Sequence, residues 1–404
     1  MLVRRVEVWD GDQPVGRCDV ELTDGLVTAV RPAADAPSGP QRSGLALIPG
    51  LIDTHVHLVG DASRSGSDFY TWPLVTSPEE KVLHGLAHAQ RALAAGVTTL
   101  RDLTSGAAEV AIARATELGL VTGPRVVTHA MVSMTAGHHD LFTPAAVRER
   151  RATADGPDAS RALVRTYART GVDGIKVATS GGVLSIGDRN TWRNHTDDQL
   201  AGIVDEAHAL GMLVAAHAHT AEGVRRALDH GVDSLEHATL IDEEAARTAT
   251  ARGVTVAPTL LINDALAQAR VPVAPAVQAK AAELVARRDA ALASAARAGV
   301  RFVLGTDANG FHVDFGDELD ELARMATVLG LSAPDALRSA TSWAAGAIAR
   351  STTLGRITEG YAADAVLVRG RPWEDLADLA RDNVVAVIVR GRVVSGAVPP
   401  ELLG

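Results

Sequence analysis

The sequence predicts an α/β fold: a closed, TIM-like (β/α)8 barrel with a small β-sandwich domain built from both chain termini. Three observations predict it. Short apolar runs alternate with Ala/Leu/Arg/Glu-rich stretches of helical spacing across roughly residues 50–350. Eight such runs occur, the number that closes a parallel barrel with right-handed crossovers. Both ends of the chain instead read as short strands broken by turns.

In order, "RRVEVWD", "GRCDVEL" and "GLVTAVRP" are strand candidates, followed by a Pro/Ala/Gly/Ser loop, "PAADAPSGPQRSG". The barrel strands are "LIDTHVHL", "VTTLRDL", "RVVTHA", "GIKVATSGG", "LVAAHAHT", "SLEHATL", "VTVAPTL" and "RFVLGTDA". Between them lie helical stretches such as "SPEEKVLHGLAHAQRALAAG" and "APAVQAKAAELVARRDAALASAARAG". The end returns to strands with "ADAVLVRG", "VVAVIVRG" and "RVVSG". The expected domains are 1–49 with 355–404, and 50–354. An open doubly wound sheet is the alternative, but no G-x-G-x-x-G follows the first strand, so the dinucleotide fingerprint is missing.

Composition narrows the function. With 47% hydrophobic and only 3% aromatic residues, the core must be built from Val, Leu, Ile and Ala. A net charge of -10 without a basic tract argues against a nucleic-acid partner. Cys18 is the only cysteine, which rules out an intrachain disulfide and a cysteine-rich zinc site. The first residues lack the apolar core of a signal peptide, and no run of 18 apolar residues offers a membrane span. The expectation is a cytoplasmic protein with a small-molecule substrate and no membrane partner, its assembly open, a homo-oligomer included.

Polar residues collect at the strand ends, where barrel enzymes keep their chemistry. His55 and His57 project from one face of the first strand, because residues i and i+2 share a face. Lys176 lies in the fourth strand, His217 and His219 end the fifth, His237 the sixth and Asp307 the eighth. Any one of them has a bland alternative, a core histidine or an N-cap aspartate. A lysine between Ile and Val is harder to dismiss, since an unpaired buried ammonium is costly. Together they point to a metal site, because imidazole nitrogen and carboxylate oxygen are ordinary Zn²⁺ ligands.

"PGLIDTHVH", "GVTTLRDL", "IKVATSGGVLS", "HAHTAEGVRRALDHGVDSLEH", "LGTDA" and "LGRITEGYAADAVLV" resemble the amidohydrolase superfamily. They are most similar to its imidazolonepropionase-like branch, with Xaa-Pro dipeptidases (prolidases), N-acyl-amino-acid hydrolases and ochratoxin-type amidases. The resemblance implies two divalent metal ions, usually zinc. His55, His57 and Asp307 would hold one ion, His217 and His237 the other, and an N6-carboxylated Lys176 would bridge them. A hydroxide shared by the metals would attack an amide or peptide bond, with Asp307 shuttling the proton. His219 is read as a donor to the substrate carbonyl oxygen, with a satisfied outer histidine as the bland alternative.

The loops after strands three and four would set specificity. "MVSMTAGHHDLF" offers His138 and His139, and "SGGVLSIGDRNTWRNHTDD" offers Arg189, Trp192, Arg193 and His195. Cationic groups there suit a substrate carboxylate, against the alternative of ordinary surface charge. His84, His88, His208 and His230 fall in helical stretches and read as solvent-facing. A mononuclear imidazolonepropionase or deaminase is the competing enzyme. Such enzymes usually lack the bridging lysine and carry Glu three residues after the strand-five histidine, where this chain has Thr220. A non-catalytic scaffold is the third reading, and it predicts missing ligands where none is missing.

Overall fold

The computed structural model describes residues 1–34, 44–148 and 150–404. Most of the expected Pro/Ala/Gly/Ser loop, residues 35–43, lies outside the described residues. The N-terminal strands are β1 (Leu2–Trp9), β2 (Pro14–Thr23), β3 (Leu26–Pro32) and β4 (Leu45–Pro49). The barrel strands follow as β5 (Leu51–Val56), β6 (Val97–Asp102), β7 (Arg125–Met131), β8 (Gly174–Ala178), β9 (Leu213–Ala218), β10 (Ser234–His237) and β11 (Thr255–Ala257). The chain ends with β12 (Ala365–Arg369), β13 (Val384–Val389) and β14 (Arg392–Gly396).

β5 to β11 form one parallel sheet in sequence order. The eighth position is filled by an extended segment, 301–308, rather than a regular strand. It closes the ring through bridges from Val256 to Phe302 and from Val56 to Ala308. Asp307 adopts φ 58° there, which breaks the strand geometry, and its carboxylate faces His55 in β5 and His57 just after it.

The terminal strands make one seven-stranded mixed sheet in the order β14-β13-β12-β4-β1-β2-β3. Its alternation is visible residue by residue. Val366, Val368, Val387 and Val389 join the barrel's core. Their neighbours Ala365, Leu367, Ala386 and Ile388 join a second core with Val20, Leu22 and Val27. The β2–β3 turn at Gly25 meets Arg390 near the β13–β14 turn, so the sheet curls over that second core in the manner of a sandwich.

Helix Pro78–Ala94 shows why the barrel layers fit. Ser77 and Glu80 form a capping box at its start. Gly85, His88, Ala89, Ala92 and Leu93 are buried at i, i+3, i+4, i+7 and i+8 spacing. This corrects the solvent-facing reading of His88. Its ring stacks on Phe315 at 4.5 Å, and its Nδ1 lies 2.9 Å from the Leu58 carbonyl. His84 and His230 are half-buried, His84 accepting a bond from the Ala62 amide and His230 lying beside Asp197, and of these four only His208 is exposed, beside Asp233.

Candidate metal centre and active site

His55, His57, Lys176, His217, His219, His237 and Asp307 all line one cavity of about 220 Å³ at the C-terminal end of the barrel strands. The imidazoles crowd together, with ring centroids 5.4 Å apart for His55–His57, 5.1 Å for His55–His237 and 4.8 Å for His217–His237. Asp307 Oδ1 lies 3.0 Å from His57 Nε2 and 3.6 Å from His55 Nε2. Two groups have ligand atoms within 4.8 Å of one another: His55, His237 and Asp307, and His217, His219 and His237. The second group places His219 as near a candidate ion as His217, so geometry alone leaves it suited to ligation as well as to a substrate carbonyl.

Outer partners orient the rings. Nδ1 of His57 lies 2.9 Å from Thr104 Oγ1, that of His219 2.7 Å from Thr239 Oγ1, and that of His237 2.6 Å from Thr259 Oγ1. His55 Nδ1 sits 2.8 Å from Glu236 Oε2. Each contact occupies the outer nitrogen and frees Nε2 for the centre. His217 is reversed, with Nε2 3.3 Å from the Gly181 carbonyl and Nδ1 left free.

The electrostatics fit divalent cations. Burial pushes His55 down to about 4 and holds His217 and His237 well below the ordinary imidazole value, so their lone pairs are available. Burial likewise lowers the Lys176 amine to about 8, which raises its neutral fraction above that of an ordinary lysine. For Asp307, burial alone would raise the value, but His55 and His57 outweigh it and bring it to about 2. Neutral imidazoles and an ionised carboxylate on one cavity wall form a donor set that could hold a divalent metal.

Behind His55 runs a charged layer inside the barrel. Arg101 donates to Glu236 at 2.8 Å, to Ser234 Oγ at 3.1 Å and to the Thr54 carbonyl at 2.6 Å. Arg101 and Glu236 are both fully buried. Arg101→Met should strand the Glu236 charge and destabilise the fold by about 3–5 kcal/mol. The double variant Arg101→Met/Glu236→Met should recover most of that loss, because no charge is left unpaired. Urea midpoints of the two variants measure this, and a single variant as stable as the parent would contradict it.

Of the residues expected at the substrate, His138 and His139 line the cavity. His138 stacks on His217 at 4.2 Å, with its Nδ1 2.8 Å from Ser185 Oγ. Arg189, Arg193 and His195 do not line it, which corrects that expectation. Asp188 turns inward to accept from the Gly182 amide and Ser185 Oγ, leaving Arg189 exposed beside Trp192. Arg193 is also exposed. His195, at φ 59°, is buried with Nε2 3.2 Å from the Val132 carbonyl. The guanidinium at the cavity is Arg151, which the sequence reading missed; it donates to His139 Nε2 at 3.1 Å and to the Thr104 carbonyl at 3.0 Å. Arg101 and Glu236 were missed too, although a charged residue inside an apolar strand ("TTLRD", "SLEH") was a usable signal.

The sequence profile of the amidohydrolase family matches residues 46–394. The chain belongs to the amidohydrolase family. This amidohydrolase is 31% identical to the ochratoxinase of Aspergillus niger over 408 residues, covering 95% of this chain and 83% of the relative. It superposes on a crystal structure of a Xaa-Pro dipeptidase with methionine bound in its active site, with a TM-score of 0.87, 28% identity and coverage of 98% and 99%. A prolidase crystallised with N-methylphosphonate-L-proline gives a TM-score of 0.87, 29% identity and the same coverage. The amidohydrolase is therefore a hydrolase acting on carbon–nitrogen bonds of small molecules. None of the described residues forms a helix long and apolar enough to cross a membrane.

Proposed function

We propose that this amidohydrolase hydrolyses the amide bond of a small carboxylate-bearing substrate, such as a Xaa-Pro dipeptide, an N-acyl amino acid or an ochratoxin-like amide. In this reading His55, His57 and Asp307 would hold one divalent ion and His217 and His237 a second, with Lys176, once carboxylated, as a ligand shared between them; zinc would suit the donor set. When bound, the ions lower the pKa of water and polarise the scissile carbonyl. Asp307, ionised across the neutral range, takes the proton of the attacking water and passes it to the leaving nitrogen. His219 Nε2, with Nδ1 committed to Thr239, is free to face the substrate carbonyl oxygen. Arg151, with His138 and His139, supplies donors for the carboxylate.

The observation that carries the proposal is the meeting of buried neutral imidazoles, Asp307 and Lys176 on the cavity that Arg151 also lines. The methionine and the phosphonate-proline named for the two relatives both bear a carboxylate, which supports the same substrate class. The test is the metal content of the purified protein, expected at about two ions per chain, with turnover of a panel of dipeptides and N-acyl amino acids. Esterifying the substrate carboxylate should lower kcat/KM by tenfold or more, about 1.4 kcal/mol per decade. Esters turned over as well as free acids would remove the carboxylate from recognition.

A further inference from the structure

Lys280 lies outside the cavity, half-buried on the long helix Pro275–Arg297, yet its ammonium is committed to one of the cavity's loops. Nζ donates to the Gly182 carbonyl at 2.9 Å and to those of Ser185 and Asp188 at 3.3 Å each. A lysine ammonium has three donors and no acceptor, so these three carbonyls use it completely. The loop they belong to, residues 179–196, runs through turns and bends between β8 and helix Asp197–Ala209. Loops this long and irregular are uncommon in compact domains and are usually functional.

The same stretch meets the histidines of the cavity on its other side. The Gly181 carbonyl lies 3.3 Å from His217 Nε2, one residue from the first carbonyl that Lys280 holds. Ser185 Oγ lies 2.8 Å from His138 Nδ1 and donates to Asp188 Oδ2 at 2.5 Å. Asp188 Oδ2 also accepts from the Gly182 amide at 2.7 Å. A Cβ on Gly182 would sit 2.0 Å from His138 Cε1, so the backbone lies directly against that ring. The ring in turn stacks on His217 at 4.2 Å. A shift of this loop would therefore reach both histidines at once.

We propose that Lys280 is a positioning residue, which pins residues 181–188 from behind and thereby fixes His217 and His138 at the cavity. The proposal rests on the amidase reading above for the tasks of those two histidines. Lys280 acts through three carbonyls and not by touching substrate or ion. An ammonium suits the role because it is a compact charge with three rotatable donors, which a planar guanidinium fork does not reproduce. Groups behind a metal-binding imidazole set metal affinity as well as activity, because they orient the ring.

The test makes three measurements on the parent, Lys280→Ala and Lys280→Met. They are hydrogen exchange of amides 182–189, zinc affinity by chelator competition, and kcat/KM on the dipeptide and N-acyl amino acid panel. In Lys280→Ala the loop amides should exchange at least about tenfold faster, as expected when bonds to a charged group are lost. Zinc affinity should fall by about tenfold, the low end for a group behind a ligand, and kcat/KM should fall with it. Propylammonium, which supplies the missing stem and ammonium, should restore all three. Lys280→Met keeps an apolar stem without the donors, so it should show the same losses and gain nothing from propylammonium. Unchanged exchange in the loop would overturn the proposal, and so would losses confined to Lys280→Ala, because the stem and not the donors would then matter. A loosened loop with parental zinc affinity would overturn it too, by reducing Lys280 to a structural tie. If the parent binds zinc but cleaves nothing on the panel, the amidase reading fails, while exchange and zinc affinity still decide the role of Lys280. A parent that binds no zinc would sink both.

Discussion

Asp307→Asn is expected to lower kcat by at least about 10²-fold, the low end for a lost general acid–base group, while the protein keeps most of its metal. Asparagine retains the shape of the side chain and one oxygen ligand, but it cannot accept a proton. Asp307 is suited to the shuttle because His55 and His57 hold it ionised despite its burial, and because its Oδ1 reaches His57 Nε2 at 3.0 Å. Metal analysis beside steady-state kinetics separates the two roles. An asparagine variant with full metal content and near-parental kcat would take Asp307 out of the chemistry.

Lys176→Ala is expected to lose both metal and activity together, by more than the about 10–100-fold typical of residues that act from behind a ligand. Lys176 is buried among the histidines, and its amine, lowered to about 8 by burial, needs to gain a carboxyl group to become a two-oxygen anionic bridge. Short carboxylic acids added to the alanine variant should restore part of both by standing in for that bridge. Intact-mass analysis of a crystal-grade native sample, or density at the Lys176 nitrogen beside two occupied ions, reads the modification directly. A plain amine next to two bound ions would refute it.

The metal-type positions were legible because each is announced within a few residues: "HVH", "HAH" and "LEH" place imidazoles at the ends of apolar runs, and a strand carries its direction with it. The structure brings all of them to one cavity. The eighth strand was legible as an extended run but not as an irregular one, since the φ of Asp307 depends on what its carboxylate meets across the ring. What surrounds the histidines was harder to read. Glu236 finds Arg101 across 135 residues, and Arg151 reaches Thr104 across 47, pairings that no local pattern encodes. The loop after β8 shows the limit most plainly. Its basic composition marked it as a carboxylate binder, yet the inward turn of Asp188 sends Arg189 to solvent, and His195 packs against Val132.

The terminal sheet has a consequence for how this chain is made. β4 lies between β1 and β12, with Ala46 opposite Val368 and Pro49 opposite Ala365. During synthesis β4 leaves the ribosome well before its partner β12, which lies more than 300 residues further along the chain. Until β12 arrives, one edge of β4 presents unpaired backbone groups next to the apolar Leu47 and Ile48, the kind of edge that recruits foreign strands. The barrel must therefore take shape before its own platform is complete, and the closing step is a pairing of very long sequence separation, slow by its topology. Loss of the last fifty residues would do more than trim a surface. It would leave that edge of β4 permanently open, so such a product is expected to aggregate even where the barrel has folded.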